Sequence, residues 1–224
     1  MAGVNGAGKS SVGGALLAEH GLDWFNPDSF ARELVGSQGI EPVQANALAW
    51  EHGRSRLETA LLQGCNYAFE TTLGGNTIAR LLAQAARTHD VVMLFCGLSS
   101  AEQHLQRVRF RVSVGGHDIA QKKIRERWVS SRANLVGLMP LLAHLQVFDN
   151  SADAAPGEDI PDPVLILEMV AGQIVFPDPE DAAALQGTPQ WRGRWCRPLL
   201  NTFRNSQILQ GPHGFWLQSA ASGP

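Results

Sequence analysis

The sequence predicts an α/β fold: a parallel β-sheet with helices on both faces. Three observations carry that prediction. DVVMLFCGL (90–98) is a nearly unbroken apolar run, the pattern of a strand buried on both faces. LQVFDNS (145–151) reads as a second strand, and two helical stretches, 99–114 and about 120–139, lie between them. Strands that alternate with helices pair in parallel through crossover connections. The composition agrees, since 224 residues with 44% hydrophobic and 17% charged side chains suit one sizeable core.

Taken in order, residues 9–20 (KSSVGGALLAEH) predict a helix that opens inside a glycine-rich loop and is weakened by Gly13 and Gly14. LDWFN (22–26) predicts a short strand, and PDSFARELV a helix with Pro27 at its start. From Pro42 to Gln63, Ala45, Leu48, Ala49, Leu57, Leu61 and Leu62 recur at helical spacing. NYAFE (66–70) predicts a short strand, followed by a helix over about 75–88. ADAAPGEDIPDP predicts a linker, and VLILEMVAGQIVF two strands around an Ala-Gly turn. We divide the chain into a domain over 1–176 and an irregular tail over 177–224, where no helix or strand period is evident.

The chemistry concentrates at the start. Gly3-x-x-x-x-Gly8-Lys9-Ser10 is a Walker A signature, the phosphate-binding loop of P-loop NTPase-type folds. Gly3, Gly6 and Gly8 free the backbone N–H groups to turn toward phosphate oxygens, with Asn5 and Ala7 completing the cradle. Lys9 is expected to reach the β- and γ-phosphates of ATP and the Ser10 hydroxyl to ligate Mg²⁺, with Ser11 beside it. Such a loop ordinarily follows a central strand, yet only two residues precede Gly3. The first strand is therefore expected to be truncated.

Phosphoryl transfer also needs a carboxylate near the acceptor hydroxyl. Asp28 in FNPDSFA and Glu70, at the end of NYAFE before TTLGG, are the candidates. Asp28 also suits a plain helix cap, and Glu70 a solvated strand end. Thr71 and Thr72 either contact substrate or cap the next helix. The segment 106–135 carries Arg107, Arg109, Arg111, Lys122, Lys123, Arg125, Arg127 and Arg132 against only Asp118 and Glu126. Arg107 and Arg111, four residues apart, share a helix face and suit either the clamping of transferring phosphates or a plain solvated helix face. Gly115-Gly116 offers a hinge between the two helices.

Bulk properties narrow the partners. A net charge of −3 argues against a general grip on nucleic acid. The three cysteines, Cys65, Cys96 and Cys196, are too widely spaced for a metal cluster or disulfide framework, which favours a reducing compartment. The lack of a leader and of a membrane-length apolar run leads us to expect a cytoplasmic protein with no membrane partner.

Taken together, GVNGAGKSS, NPDSFA, FETTLGG, RVRFRVSVGGHDI, the IRERW and SSRANL segments and VFDNS resemble the zeta-toxin family of P-loop small-molecule kinases, in the family's order over roughly positions 3–151. The resemblance implies ATP and Mg²⁺ as cofactors, and a UDP-sugar or similar metabolite as the phosphoryl acceptor. It further implies restraint by an antitoxin protein. It casts Asp28 as the base that activates the acceptor, Glu70 and Thr72 as residues that contact the sugar nucleotide or support the site, and Arg107 or Arg111 as the phosphate clamp. A further clamp arginine of the family aligns near His117, where this chain has none. Two other functions remain open on the sequence: a nucleotide-binding protein without transfer activity, and an ATPase that uses nucleotide for conformational work.

Overall fold

A computed structural model describes residues 1–10, 12–13, 24–154, 159, 161–178 and 181. Ser11, most of the predicted helix over 9–20, and nearly all of the predicted tail over 177–224 lie outside the described residues. The elements in chain order are α1 (Pro27–Gln38), α2 (Pro42–Gln63), α3 (Asn76–Ala85), β1 (Val92–Gly97), α4 (Ala101–Ser113), α5 (Gln121–Leu138), a 3₁₀ turn (Met139–Leu141), β2 (His144–Asp149), β3 (Val164–Val170) and β4 (Gln173–Phe176).

Among the described residues these strands form one sheet in the order β1-β2-β3-β4. β1 and β2 pair in parallel, from Val92 opposite His144 to Gly97 opposite Asp149. β3 and β4 extend the sheet antiparallel. The turn at Ala171-Gly172 accounts for the reversal between β3 and β4, because so short a link permits a hairpin but no crossover, whereas β3 reverses against β2 after the longer connection over 150–163. The sheet is therefore mixed, with its parallel part where the apolar run at 90–98 predicts it.

The start of the chain occupies the far side of β1. Ala2 bridges Thr71 on one side and Phe95 on the other, both in parallel. Its N–H donates to the Leu94 carbonyl at 2.7 Å, and its own carbonyl accepts from Cys96 N–H at 2.9 Å. Gly3 N–H reaches the Thr71 carbonyl at 3.2 Å. Phe25 in turn bridges Phe69. Of the strands predicted over 22–26 and 66–70, the described residues form a single bridge at Phe25 and Phe69, Leu22 and Asp23 lying outside the described residues, and residues 1–3 stand between 69–71 and β1.

Alternation along the strands sorts the side chains onto two faces. Met93, Phe95, Leu145 and Val147 point to one side and pack with Leu82 of α3 and Leu135 and Leu138 of α5. Cys96 points to the other side, in a cluster with Ala7, Leu98, Val12 and Phe148. Helices thus cover both faces, as the sequence predicts. α1 and α2 form a hairpin beside the sheet, held through Ala31, Leu34, Ala45 and Ala49, the small alanine side chains letting the helices approach closely. Asn26 caps α1, its Oδ1 accepting from Ser29 N–H at 3.1 Å.

Gly3 and Gly36 predict opposite responses to alanine. At Gly3 the backbone has φ +141°, and an added Cβ would lie 2.2 Å from the Cys96 carbonyl oxygen. Gly3→Ala should destabilise the protein by about 2–5 kcal/mol through combined strain and overpacking. Gly36, inside α1, has nothing within 4 Å of an added Cβ, so Gly36→Ala should stabilise by about 0.8–1 kcal/mol. Urea denaturation of both variants checks the signs.

Candidate functional site

The glycine-rich loop leaves the sheet at Gly3 and ends where a helix opens at Lys9. Gly6 and Gly8 adopt φ of 82° and 81°, backbone that suits glycine. The loop is gripped from three sides. Asn150, just past β2, donates from Nδ2 to the Ala7 carbonyl at 2.9 Å. His104 of α4 places Nδ1 2.9 Å from the Asn5 carbonyl, an arrangement in which the ring donates. Arg127 of α5 donates from Nη1 to Asn5 Oδ1 at 2.7 Å.

Glu70 is the acidic centre. It is buried, its Oε1 lies 3.4 Å from Lys9 Nζ, and its Oε2 accepts from the Ser10 hydroxyl at 2.9 Å. Asn26 Nδ2 also donates to Oε2, at 3.0 Å. Of the two roles expected for Glu70, contact with the substrate or support of the site, these bonds correspond to the second, since they hold it against the lysine and serine of the loop.

Thr71 and Thr72 border the same cleft while their hydroxyls serve the backbone. Thr71 Oγ1 accepts from Leu73 N–H at 3.0 Å, and Thr72 Oγ1 from Gly74 N–H at 3.4 Å. This local capture accompanies a left-handed Leu73 (φ 53°). Helix α5 fastens the turn: Asn134 Nδ2 donates to the Leu73 carbonyl and Ser130 Oγ to the Gly74 carbonyl. At Gly74 an added Cβ would lie 2.6 Å from Arg127 Cγ, so the glycine lets the arginine in.

Asp28, at the start of α1, faces the loop across a cleft of about 820 Å³ that Asn5, Lys9, Glu70, Thr72 and Arg127 also line. Its carboxylate is partly exposed and stands 3.8 Å from Arg111 Nη1. Burial holds the half-buried Arg127 guanidinium below the usual arginine range, and the Asp28 charge pulls it back up. Arg111 also donates to the His117 carbonyl at 3.3 Å. Arg107 turns elsewhere, toward the Asp153 carboxylate at 2.8 Å and the Ala152 carbonyl at 3.0 Å. Arg107 and Arg111 therefore share a helix but not a set of partners. Asn26, His104, Arg127 and Asn150 were not singled out as site residues, because each acts through a partner distant in sequence.

The oxygen donors fit a magnesium site. Ser10 and Glu70 present neighbouring hard oxygens beside the glycine cradle, the sparse protein set that Mg²⁺ uses when phosphates and waters supply the rest. Among the described residues no group of three or more His, Cys, Asp or Glu side chains could hold a metal ion unaided.

Fold and loop together define the class: an α/β domain of the P-loop type. Residues 1–135 match the AAA domain family, and the chain belongs to it. Over 133 residues it is 28% identical to an uncharacterized protein of Haemophilus influenzae (strain ATCC 51907 / DSM 11121 / KW20 / Rd), an alignment covering 56% of this chain and 88% of that protein. Among solved structures it is similar to a chain of the AvrRxo1-ORF1:AvrRxo1-ORF2 complex with sulphate ions, at a TM-score of 0.54 and 19% identity over 77% of this chain. It is likewise similar to the AvrRxo1-ORF1:-ORF2 complex with ATP, at a TM-score of 0.53 and 19% identity over 77% of this chain. The chain spans 59% and 58% of those two neighbours' lengths. At such identity the likeness concerns the fold. Among the described residues no helix is long and apolar enough to cross a membrane.

Burial of His104 generates a pH prediction. Desolvation lowers its pKa from 6.5 to about 4, so the folded state keeps the ring neutral while the unfolded chain takes up a proton. Stability is whole above the unfolded value and falls as pH drops toward 4, by about 3 kcal/mol from this group. Urea denaturation at pH 7 and pH 4 should show that loss in the wild type, and a smaller one in His104→Gln.

Proposed function

We propose that the protein is an ATP- and Mg²⁺-dependent small-molecule kinase resembling the zeta toxins, which phosphorylates a hydroxyl of a nucleotide sugar or similar metabolite. The observation that carries this reading is the meeting of Lys9, Glu70, Asp28 and Arg127 on one cleft. Loop and lysine form one wall, and a partly exposed carboxylate stands at another. A kinase needs that separation, because the phosphoryl donor and the hydroxyl acceptor must approach from opposite sides.

ATP supplies the transferable phosphoryl group, and Mg²⁺, held by Ser10 with Glu70 beside it, supplies positive charge. The residues of the chain do the rest. Lys9 holds phosphate oxygens against the backbone N–H groups of Gly6 and Gly8. Asp28 accepts the hydroxyl proton on its exposed carboxylate. Arg127 presents a half-buried guanidinium, fixed by Asn5, to the charge that builds up in transfer. It fills the role expected of the arginine that is lacking at His117. Arg111 restrains Asp28, and Arg107, at the outer edge of the loop, is placed for the nucleotide side. The AvrRxo1 neighbours, one solved with ATP and both as complexes with a second protein, support a nucleotide-binding role and a protein partner such as an antitoxin.

Three substitutions test the roles in steady-state assays and calorimetry. Asp28→Asn should cut kcat by about 10²–10⁴-fold while ATP affinity stays within about twofold. Unchanged turnover removes Asp28 from the chemistry. Arg127→Ala should cost about 10²–10³-fold in kcat, with a smaller effect on ATP binding. Lys9→Ala should weaken ATP binding itself, and wild-type affinity contradicts the cradle. ATP binding with no phosphorylated product from any acceptor selects the reading in which the protein binds nucleotide without transfer.

A further inference from the structure

Given the kinase function proposed above, we infer that the α2 wall of the cleft is a subsite for a planar, uncharged ring on the acceptor, with Trp50 as its platform. Val43, Asn46, Ala47, Trp50 and Arg54 all line the cleft. Their spacing of three and four residues makes them one stripe of the helix. Ala45 and Ala49, on the opposite stripe, are buried against α1. An apolar stripe at helical spacing ordinarily marks core, yet here it faces open space: Val43 is 85% exposed and Trp50 48%. The space it faces is the cleft that holds Lys9 and Asp28.

The chemistry of the wall selects the ligand. Arg54 lies 6.0 Å from the Trp50 ring centroid, but its guanidinium is engaged by both Glu51 and Glu58. Two carboxylates on one guanidinium leave no cation there for a phosphate. What remains is an aromatic face with Val43 and Ala47 on the same stripe, while the Asn46 amide donates to the Pro42 carbonyl of its own helix at 2.8 Å. Such a surface stacks a flat ring with delocalised electrons, as aromatic side chains stack nucleobases. The cations that line the cleft and suit anionic groups, Lys9, Lys123 and Arg127, come from the loop and from α5. An acceptor that carries a ring, a charged linkage and a hydroxyl-bearing part matches that division.

Steady-state kinetics with nucleoside diphosphate sugars, and with the matching sugar 1-phosphates that lack the ring, test the assignment. Trp50→Ala should raise KM about tenfold for the ring-bearing acceptors. It should leave their kcat, the KM for ATP and the KM for sugar 1-phosphates within twofold. Trp50→Phe should recover most of the loss. Equal shifts for both acceptor types, or none, overturn the subsite and leave the stripe as a surface for a protein partner. Saturation-transfer NMR with uridine needs no catalysis. If the wild type phosphorylates none of these acceptors, transfer from wild type that disappears in Trp50→Ala still supports the subsite, and no difference between them overturns it.

Discussion

Glu70 and Lys9 meet in a place nearly closed to water, and the site is organised around that contact. An ammonium and a carboxylate removed from solvent are costly unless each finds a partner and hydrogen bonds. Here the carboxylate oxygen that does not face Lys9 accepts from Ser10 and Asn26. The pair thereby joins three segments: the phosphate loop, the strand end at 70 and the start of α1. Asn26 is the connecting piece. One end of its amide binds Glu70 while the other caps α1, so the position of Asp28, two residues on, is referred to the same carboxylate. Loss of Glu70 would leave a buried lysine unpaired and release the capping asparagine together.

The packing around the loop has the same tightness. Gly3 passes so close to β1 that no side chain fits, and Asn150 fills the space beside Gly8 that a Cβ would need. The loop backbone is thus held from the sheet, from the end of β2 and from α4, and its Asn5 side chain from α5. Such restraint suits an anion cradle, whose N–H groups must already point inward when the ligand arrives. By contrast, the α2 wall and Asp28 stand open to solvent. A rigid donor side and an accessible acceptor side follow from where each residue is anchored.

Much of this was legible in the sequence, for local reasons. The apolar run at 90–98 could only be a covered strand, and the glycine spacing before Lys9 marked the loop. Asp28 and Glu70 stood out because one opens a helix just after a short predicted strand and the other closes a strand just before hydroxyls and glycines. The hairpin at 164–176 was also visible in its short turn, but the mixed sheet comes from β3 pairing antiparallel with β2, which no local pattern marks. The strands at 22–26 and 66–70 were read as ordinary strands. Their described residues form a single bridge at Phe25 and Phe69, whose pairing is settled by neighbours rather than by their own pattern. Arg127 was one cation among eight in the segment 106–135. Its distinction comes from Asn5, far away in the chain, and from the missing side chain at Gly74. The i, i+4 spacing of Arg107 and Arg111 suggested a shared task, yet one turn of helix was enough to give them different partners. Asn26 and His104 carried no sequence signal beyond their types, because their roles depend on which carboxylate or carbonyl the fold brings to them.

The central claim is that the cleft transfers a phosphoryl group from nucleotide to a small hydroxyl compound. Incubating the protein with ATP-Mg²⁺ and a bacterial metabolite extract, followed by mass spectrometry of the small molecules, tests it most directly. The account predicts ADP together with a metabolite one phosphoryl group heavier, formed only when both ATP and protein are present. ADP and free phosphate with no such metabolite, or no nucleotide turnover at all, would contradict it.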